Sequence, residues 1–264
     1  MKLTRNAGLR ALGIAVAVIL SSLGLGRAGA QEPDWQFADV LAPHYDNAPT
    51  QDILDLKLGM TVDAVRLTLA NNGFTVQGNS LGRTARGAGN MRYLEATRPH
   101  ENTRPTYERI VVYFDFSENP RVLAVYRNSQ YRSGQRPAYS TVMSALLDKY
   151  GDAPVYDTRS NEVMGSWHPE RLSRKCKPMR SNFRYFQAPS DVEGYEGCYR
   201  GLAVKVGFQN NVAGRPVEYT RSFLFDARIL DANYKETFRL ARELAEQRER
   251  ERRVELADRA AAEF

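Results

Sequence analysis

The sequence predicts an α+β protein made of two similar units, each a helix plus an antiparallel β-meander, followed by a C-terminal helix. Three observations carry this. A helix with a start and a stop written into its own residues spans Thr61 to Gly73. Apolar alternation sets in behind it. The same order then begins again, with Leu69 and Gly73 recurring as Leu147 and Gly151 at one constant offset, and self-similarity at a fixed spacing marks an internal repeat.

Residues 1–30 read as a targeting segment. Lys2, Arg5 and Arg10 precede an uncharged, mostly apolar run from Ala11 to Gly26, and Ala28-Gly29-Ala30 is a small-residue cleavage site before Gln31. The run is short for a membrane span and is broken by Ser and Gly. The expected product is a periplasmic or secreted chain starting at Gln31, with no transmembrane anchor after cleavage. Losing Lys2, Arg5, Arg10 and Arg27, and no acid, lowers the formal charge from +6 to +2. A near-neutral exported chain has no overall field for nucleic acid, which excludes that class of partner.

Residues 31–50 read as an N-terminal arm, with Trp35, Phe37, Val40 and Leu41 as apolar anchors among prolines. Residues 51–132 form the first unit. Thr61 is placed to cap a helix, because its hydroxyl can accept from unpaired first-turn N–H groups. Met60 and Val65 suit a hydrophobic staple, and Gly73 followed by Phe74 suits a left-handed stop with Phe74 folding onto Leu69. The glycine-rich stretch Gly78 to Gly89 has neither the spacing nor the lysine of a phosphate loop and reads as a hairpin tip. Met91, Tyr93 and Leu94 begin a strand, Ile110, Val112 and Phe114 alternate in a second, and Val122, Ala124 and Tyr126 in a third, after the turn Ser117-Glu118-Asn119-Pro120.

Residues 133–228 form the second unit. Ser140 is the expected cap, Met143, Leu146, Leu147 and Tyr150 share one helical face, and Gly151 stops the helix. Strands are expected at Gly165–His168, at Gly201–Phe208 with Leu202, Val204, Val206 and Phe208 on one face, and at Val217–Phe225. The second strand set lags the first, and the excess falls around Cys176 to Cys198, an insertion. Two cysteines in an exported chain pair by default, so a Cys176–Cys198 disulfide is predicted. It stabilises by roughly 3 kcal/mol in the chain-entropy description. From Ile229 to Phe264 a long charged helix follows. Tyr234, Phe238, Ala241 and Ala245 give its first half an apolar stripe for docking. Pairs such as Glu249 with Arg253 and Glu255 with Arg259 support a second half that projects into solvent.

Leu58-Gly59-Met60-Thr61-Val62-Asp63-Ala64-Val65 resembles the helix start of small envelope domains of the SmpA/OmlA type. Lys149-Tyr150-Gly151-Asp152-Ala153-Pro154 followed by Trp167 is similar to the Tyr-Gly-x-Pro turn and aromatic strand of that family. The tandem arrangement resembles the related β-lactamase inhibitor proteins. The resemblance implies a non-catalytic, protein-binding module. The chain departs from the family in having no lipid-attachment cysteine, and in carrying the insertion and the charged tail.

Among individual residues, Arg171, Arg174, Lys175, Lys177, Arg180 and Arg184 form a basic run with Phe183, Tyr185 and Phe186 among them. Such a run suits phosphate of an anionic envelope component or an acidic face of an envelope protein, and equally a solvated loop. Cys176 or Cys198 beside His168 is the pattern a periplasmic hydrolase would need; the disulfide is the stronger reading. His44, His100 and His168 are far apart and next to prolines, and Asp191, Glu193 and Glu196 lack the spacing of a calcium loop. No cofactor or metal is expected. The sequence therefore points to an exported binding module, with a periplasmic hydrolase as the alternative.

Overall fold

Strand alternation builds a single antiparallel sheet. The computed structural model describes residues 37–78, 81–84, 91–98, 107–153, 155–159, 161–167 and 200–262. In chain order the strands are β1 (Thr75–Val76), β2 (Gly82–Thr84), β3 (Met91–Arg98), β4 (Tyr107–Phe114), β5 (Val122–Gln130), β6 (Val155–Arg159), β7 (Glu162–Trp167), β8 (Arg200–Phe208) and β9 (Val217–Asp226). The sheet order is β1-β3-β4-β5-β9-β8-β7-β6, with β2 also on β3. The two meanders thus lie on either side of an antiparallel β5–β9 pair, which joins them into one sheet. The fold is α+β, with four helices among the described residues, α1 (Phe37–Asp46), α2 (Val62–Asn71), α3 (Tyr139–Tyr150) and α4 (Ala227–Ala262).

The first helix of the sheet layer, α2, is fixed by its own ends. Thr61 Oγ1 accepts from the Ala64 N–H. Gly73 has φ +73°, and the amides of Gly73 and Phe74 donate back to the carbonyls of Ala70 and Leu69, at 2.9 Å each. Those bonds satisfy carbonyls that a helix end leaves open, and glycine takes the left-handed conformation without a Cβ penalty. Val65, Leu69 and Phe74 are buried. Arg98 of β3 holds this end down: it donates to the Asn72 carbonyl at 3.1 Å, and its guanidinium lies 4.7 Å from the Phe74 ring. Arg98 also pairs with the buried carboxylate of Glu108, which accepts from Arg127 Nε on its other oxygen at 2.6 Å.

The second helix differs from the sequence expectation. Ser140 is not its cap: α3 begins at Tyr139, and Ala138 occupies the cap position with no side-chain bond. No residue of α3 is fully buried; Val142, Met143, Leu146 and Tyr150 are half-buried against the core. Specific contacts hold it. Trp167 Nε1 donates to the Gly151 carbonyl at 2.8 Å, the Tyr150 hydroxyl to the Asp52 carbonyl at 2.9 Å, and Lys149 pairs with Asp52 at 2.8 Å. The strand expected at Gly165–His168 spans Glu162–Trp167, and β6, which the alternation does not reveal, pairs with it.

The hairpins β4–β5 and β8–β9 are built alike. Each carries a bulge next to its turn, where Phe114 pairs with Val122 and Phe208 with Val217. In each the residue before the second strand bridges to a helix cap, Arg121 to Thr61 and Pro216 to Ala138. The first residue of that strand then donates to the residue before the cap, Val122 to Met60 and Val217 to Pro137, at 2.9 Å in both.

The arm at residues 31–50 contains a helix, α1, which packs on α4. Leu41 is fully buried, and Tyr45 donates to Asp115 at 2.9 Å. Of the docking stripe expected on α4, Tyr234 packs against the core and the other three residues do not. Ile229, Leu230, Asn233, Glu236, Thr237 and Leu240 are buried, whereas Phe238 is 65% exposed and Ala241 and Ala245 face solvent. Short alanines and one phenylalanine read as a seam in sequence, but β9 runs into α4 without a loop and sets the helix's rotation. Residues 248–262 are exposed throughout and tied by i,i+4 pairs such as Arg253 with Glu249 and Arg259 with Glu255.

Candidate functional site

Both faces of the central strands carry buried residues. Ile110, Val112, Val125, Leu224, Leu202 and Val204 share one face, the one on which α2 and α3 are fastened through Arg98 and Trp167. Val111, Tyr113, Phe223, Phe225 and Ala203 are buried on the other. The core therefore lies on both sides of the sheet.

On that second face, cross-strand register sets Thr97, Arg109, Asn128, Arg221 and Lys205 side by side across five strands. The neighbouring row toward one end of the strands is Tyr107, Gln130, Tyr219, Gly207 and Glu162. On the other side of Arg109 and Arg221 come Glu95, Val111, Tyr126 and Phe223. Directly opposed residues in an antiparallel pair project to the same side, so these form a continuous tyrosine- and arginine-bearing surface.

Its charges are arranged in pairs at the flanks. Arg109 grips Glu95 through two bonds, Nε to Oε1 at 2.6 Å and Nη2 to Oε2 at 2.7 Å. Lys205 pairs with Glu162 at 2.7 Å, and Glu162 also accepts from the Tyr219 hydroxyl. Arg221 lies between them, its guanidinium carbon 4.6 Å from the Tyr219 ring. Gly207 makes this possible: a Cβ there would collide with the Tyr219 ring. Burial pushes the Tyr113 phenol up to about 12 and raises that of Tyr126 as well, so both stay neutral hydrogen-bonding groups at ordinary pH. Tyr107 is 41% exposed.

Two further surface features occur on α4. An open groove of about 510 Å³ against α1 is lined by His44, Arg228, Lys235 and Arg239. Its cations are already matched, Arg228 by Asp226, Lys235 by Asp231 and Arg239 by Glu236 and Glu243. A smaller hollow beside it is bounded by the stacked rings of Tyr234 and Phe238.

The residues singled out from sequence fall elsewhere. Arg171, Arg174, Lys175, Lys177, Arg180 and Arg184, the cysteines Cys176 and Cys198, the acids Asp191, Glu193 and Glu196, and His100 and His168 all lie outside the described residues. Among the described residues no group of three or more His, Cys, Asp or Glu gathers at metal-binding distance, and no helix is long and apolar enough to cross a membrane. The sheet surface was missed because its members are scattered along the chain. A signal existed in Tyr107-Glu108-Arg109 and Tyr219-Thr220-Arg221, two Tyr-x-Arg stretches whose parity is opposite to that of the helix-facing residues, but register was needed to join them. No protein family, curated protein or solved structure matches this chain.

Proposed function

We propose that the protein is an exported, non-catalytic binding module of the cell envelope, made of two related helix-plus-meander units, which presents the tyrosine- and arginine-bearing sheet face to another envelope protein. The observation that carries this reading is the Arg109–Asn128–Arg221–Lys205 row with Tyr107, Tyr126 and Tyr219 around it. Tyrosine and arginine are the residues that most often dominate protein–protein binding, because they combine large contact area with directed hydrogen bonds. A rigid sheet also presents them with little ordering cost. The shared bulge, bridge and strand-to-cap bonds of the two hairpins support the duplication. The targeting segment supports export, and the resemblance at Gly59-Met60-Thr61 supports an envelope role. The basic run from Arg171 to Arg184 is a second contact, for an anionic envelope component.

The test is a photo-crosslinker placed at Tyr107 on this face or at Val212, 48% exposed in the loop between β8 and β9. A discrete adduct in the native envelope from position 107 and none from 212 supports the reading. Equal labelling from both positions, or none, rejects it. N-terminal sequencing of the exported product is expected to begin at Gln31.

A further inference from the structure

The charges of the sheet face do not balance, and the imbalance falls on one residue. Glu95 neutralises Arg109 and Glu162 neutralises Lys205. Arg221, between them, has no carboxylate among the described residues; its guanidinium rests on the Tyr219 ring. The residue is half-exposed, yet its Nε is enclosed without an acceptor. Its direct cross-strand partner, Asn128, has an enclosed Oδ1 without a donor. A guanidinium held flat against a phenol ring, with its Nε closed off and its outer nitrogens left to meet a ligand, is a planar, preorganised receptor for an oxyanion.

We infer that Arg221 is the anchor of the binding face and receives an aspartate or glutamate side chain of the partner protein. The inference rests on the reading of this face as a protein-binding surface. Carboxylate is favoured over phosphate by charge: among the described residues one cation of the row is left over after the flanking pairs are counted, which matches a single negative charge and not two. The surrounding Tyr107, Tyr126 and Tyr219 suit the body of a peptide loop and not a free ion. The incoming carboxylate takes the guanidinium's outer nitrogens in a two-point bond, while Tyr219 holds the plane and Glu162 holds Tyr219.

The experiment uses the mature protein with ¹⁵N-labelled arginine and follows the arginine Nε–H resonances on titration. The probes are the capped peptide acetyl-Gly-Tyr-Glu-Gly-amide, the same peptide with Gln for Glu, and inorganic phosphate. The expected result is a saturable shift of the Arg221 signal with the Glu peptide, at least about tenfold weaker with the Gln peptide and lost in Arg221→Gln. Arg221→Lys is expected to lose most of the affinity, and full retention overturns the two-point bond. Phosphate shifting Arg221 at lower concentration than the Glu peptide overturns the assignment to carboxylate. Equal response to Glu and Gln peptides, or none to either, overturns the anchor itself. Loss of the anchor is distinct from loss of the face: crosslinking from position 107 that persists in Arg221→Gln leaves the face standing and removes Arg221 from it. Unchanged arginine signals outside this face in Arg221→Gln show that the variant is folded.

Discussion

The two helix-and-hairpin halves share a plan and differ in how firmly each helix is held. In the first, α2 has a side-chain cap at Thr61, a glycine stop at Gly73 and two core residues, Val65 and Leu69, with 0% and 1% exposure. In the second, α3 starts from Ala138 without a cap bond and buries nothing completely; Trp167, Tyr150 and Lys149 fasten its C-terminal end instead. The hairpins make a reciprocal exchange at the bulge. Tyr113 faces Ala124 in one, and Gly207 faces Tyr219 in the other. The large ring is on the first strand in one half and on the second strand in the other. The comparison teaches that a common backbone plan leaves the energy free to be placed differently: burial holds α2, and discrete polar contacts hold α3.

The largest test of that contrast is deletion of core volume. Leu69→Ala is expected to lower unfolding stability by about 2–5 kcal/mol, because the removed atoms leave a cavity in a packed site. Leu147→Ala, at the matching position on a half-exposed helix, is expected to cost under about 1 kcal/mol. Equal losses in urea denaturation would erase the distinction between the helices. Next comes Gly207→Ala. The added methyl collides with the Tyr219 ring, with an expected cost of about 1–3 kcal/mol, and the displaced ring releases Arg221 and Glu162. The crosslink from position 107 should weaken in the same variant, whereas a stability loss with undiminished crosslinking would separate Tyr219 from binding.

The caps give a smaller and opposite pair. Thr61→Ala should destabilise by about 1 kcal/mol. Ala138→Thr should stabilise by about 0.5 kcal/mol, since φ −65° and ψ 145° at Ala138 already match a capping residue. Thermal melts of the two variants should move in opposite directions.

The smallest effect concerns pH. Burial works to raise the Asp52 carboxyl, but the hydrogen bond from Lys149, the Asp55 amide and the charges of Lys149 and Lys57 outweigh it and hold the carboxyl below its usual range. The stability this contributes is complete above the unfolded value of about 4 and is lost as pH falls through the lower folded value. Lys149→Met should therefore flatten the acid limb of the stability curve, by less than about 1 kcal/mol for so exposed a pair. Asp115 has the other sign. Burial raises it despite the bonds from Ser117, Tyr45 and Arg121, so its contribution is complete below about 4 and declines as pH rises through the raised folded value. Asp115→Asn should remove that decline, and the two acids can be told apart by the direction of the change.

Much of this architecture was legible residue by residue. The cap and stop of α2 were readable because a cap bonds its own helix within three or four residues. The strands β4, β5, β8 and β9 were readable because period-two alternation survives wherever one face is buried. The charged second half of α4 was readable because its pairs are i,i+4. The β6 strand escaped because a short edge segment has no alternation of its own to show, and Ser140 misled because capping needs the backbone direction as well as the residue type. The stripe expected on α4 holds only at Tyr234, for a related reason. Helical spacing names several possible faces, and the exit from β9 selects among them; it buries Asn233 and leaves Phe238 outside.

Local order was determined by the sequence alone in part: where α2 begins and ends, that β4, β5, β8 and β9 are strands, and that the chain ends in a long charged helix. Tertiary structure decided that β5 and β9 join the halves, that both sheet faces carry buried residues, and that Arg109, Asn128, Arg221 and Lys205 form one row. The physical reason is range. Caps, periodicity and i,i+4 pairs act between residues a few positions apart, whereas strand register is fixed by side chains meeting across the sheet, and a shift of one residue would turn each of these four to the opposite face.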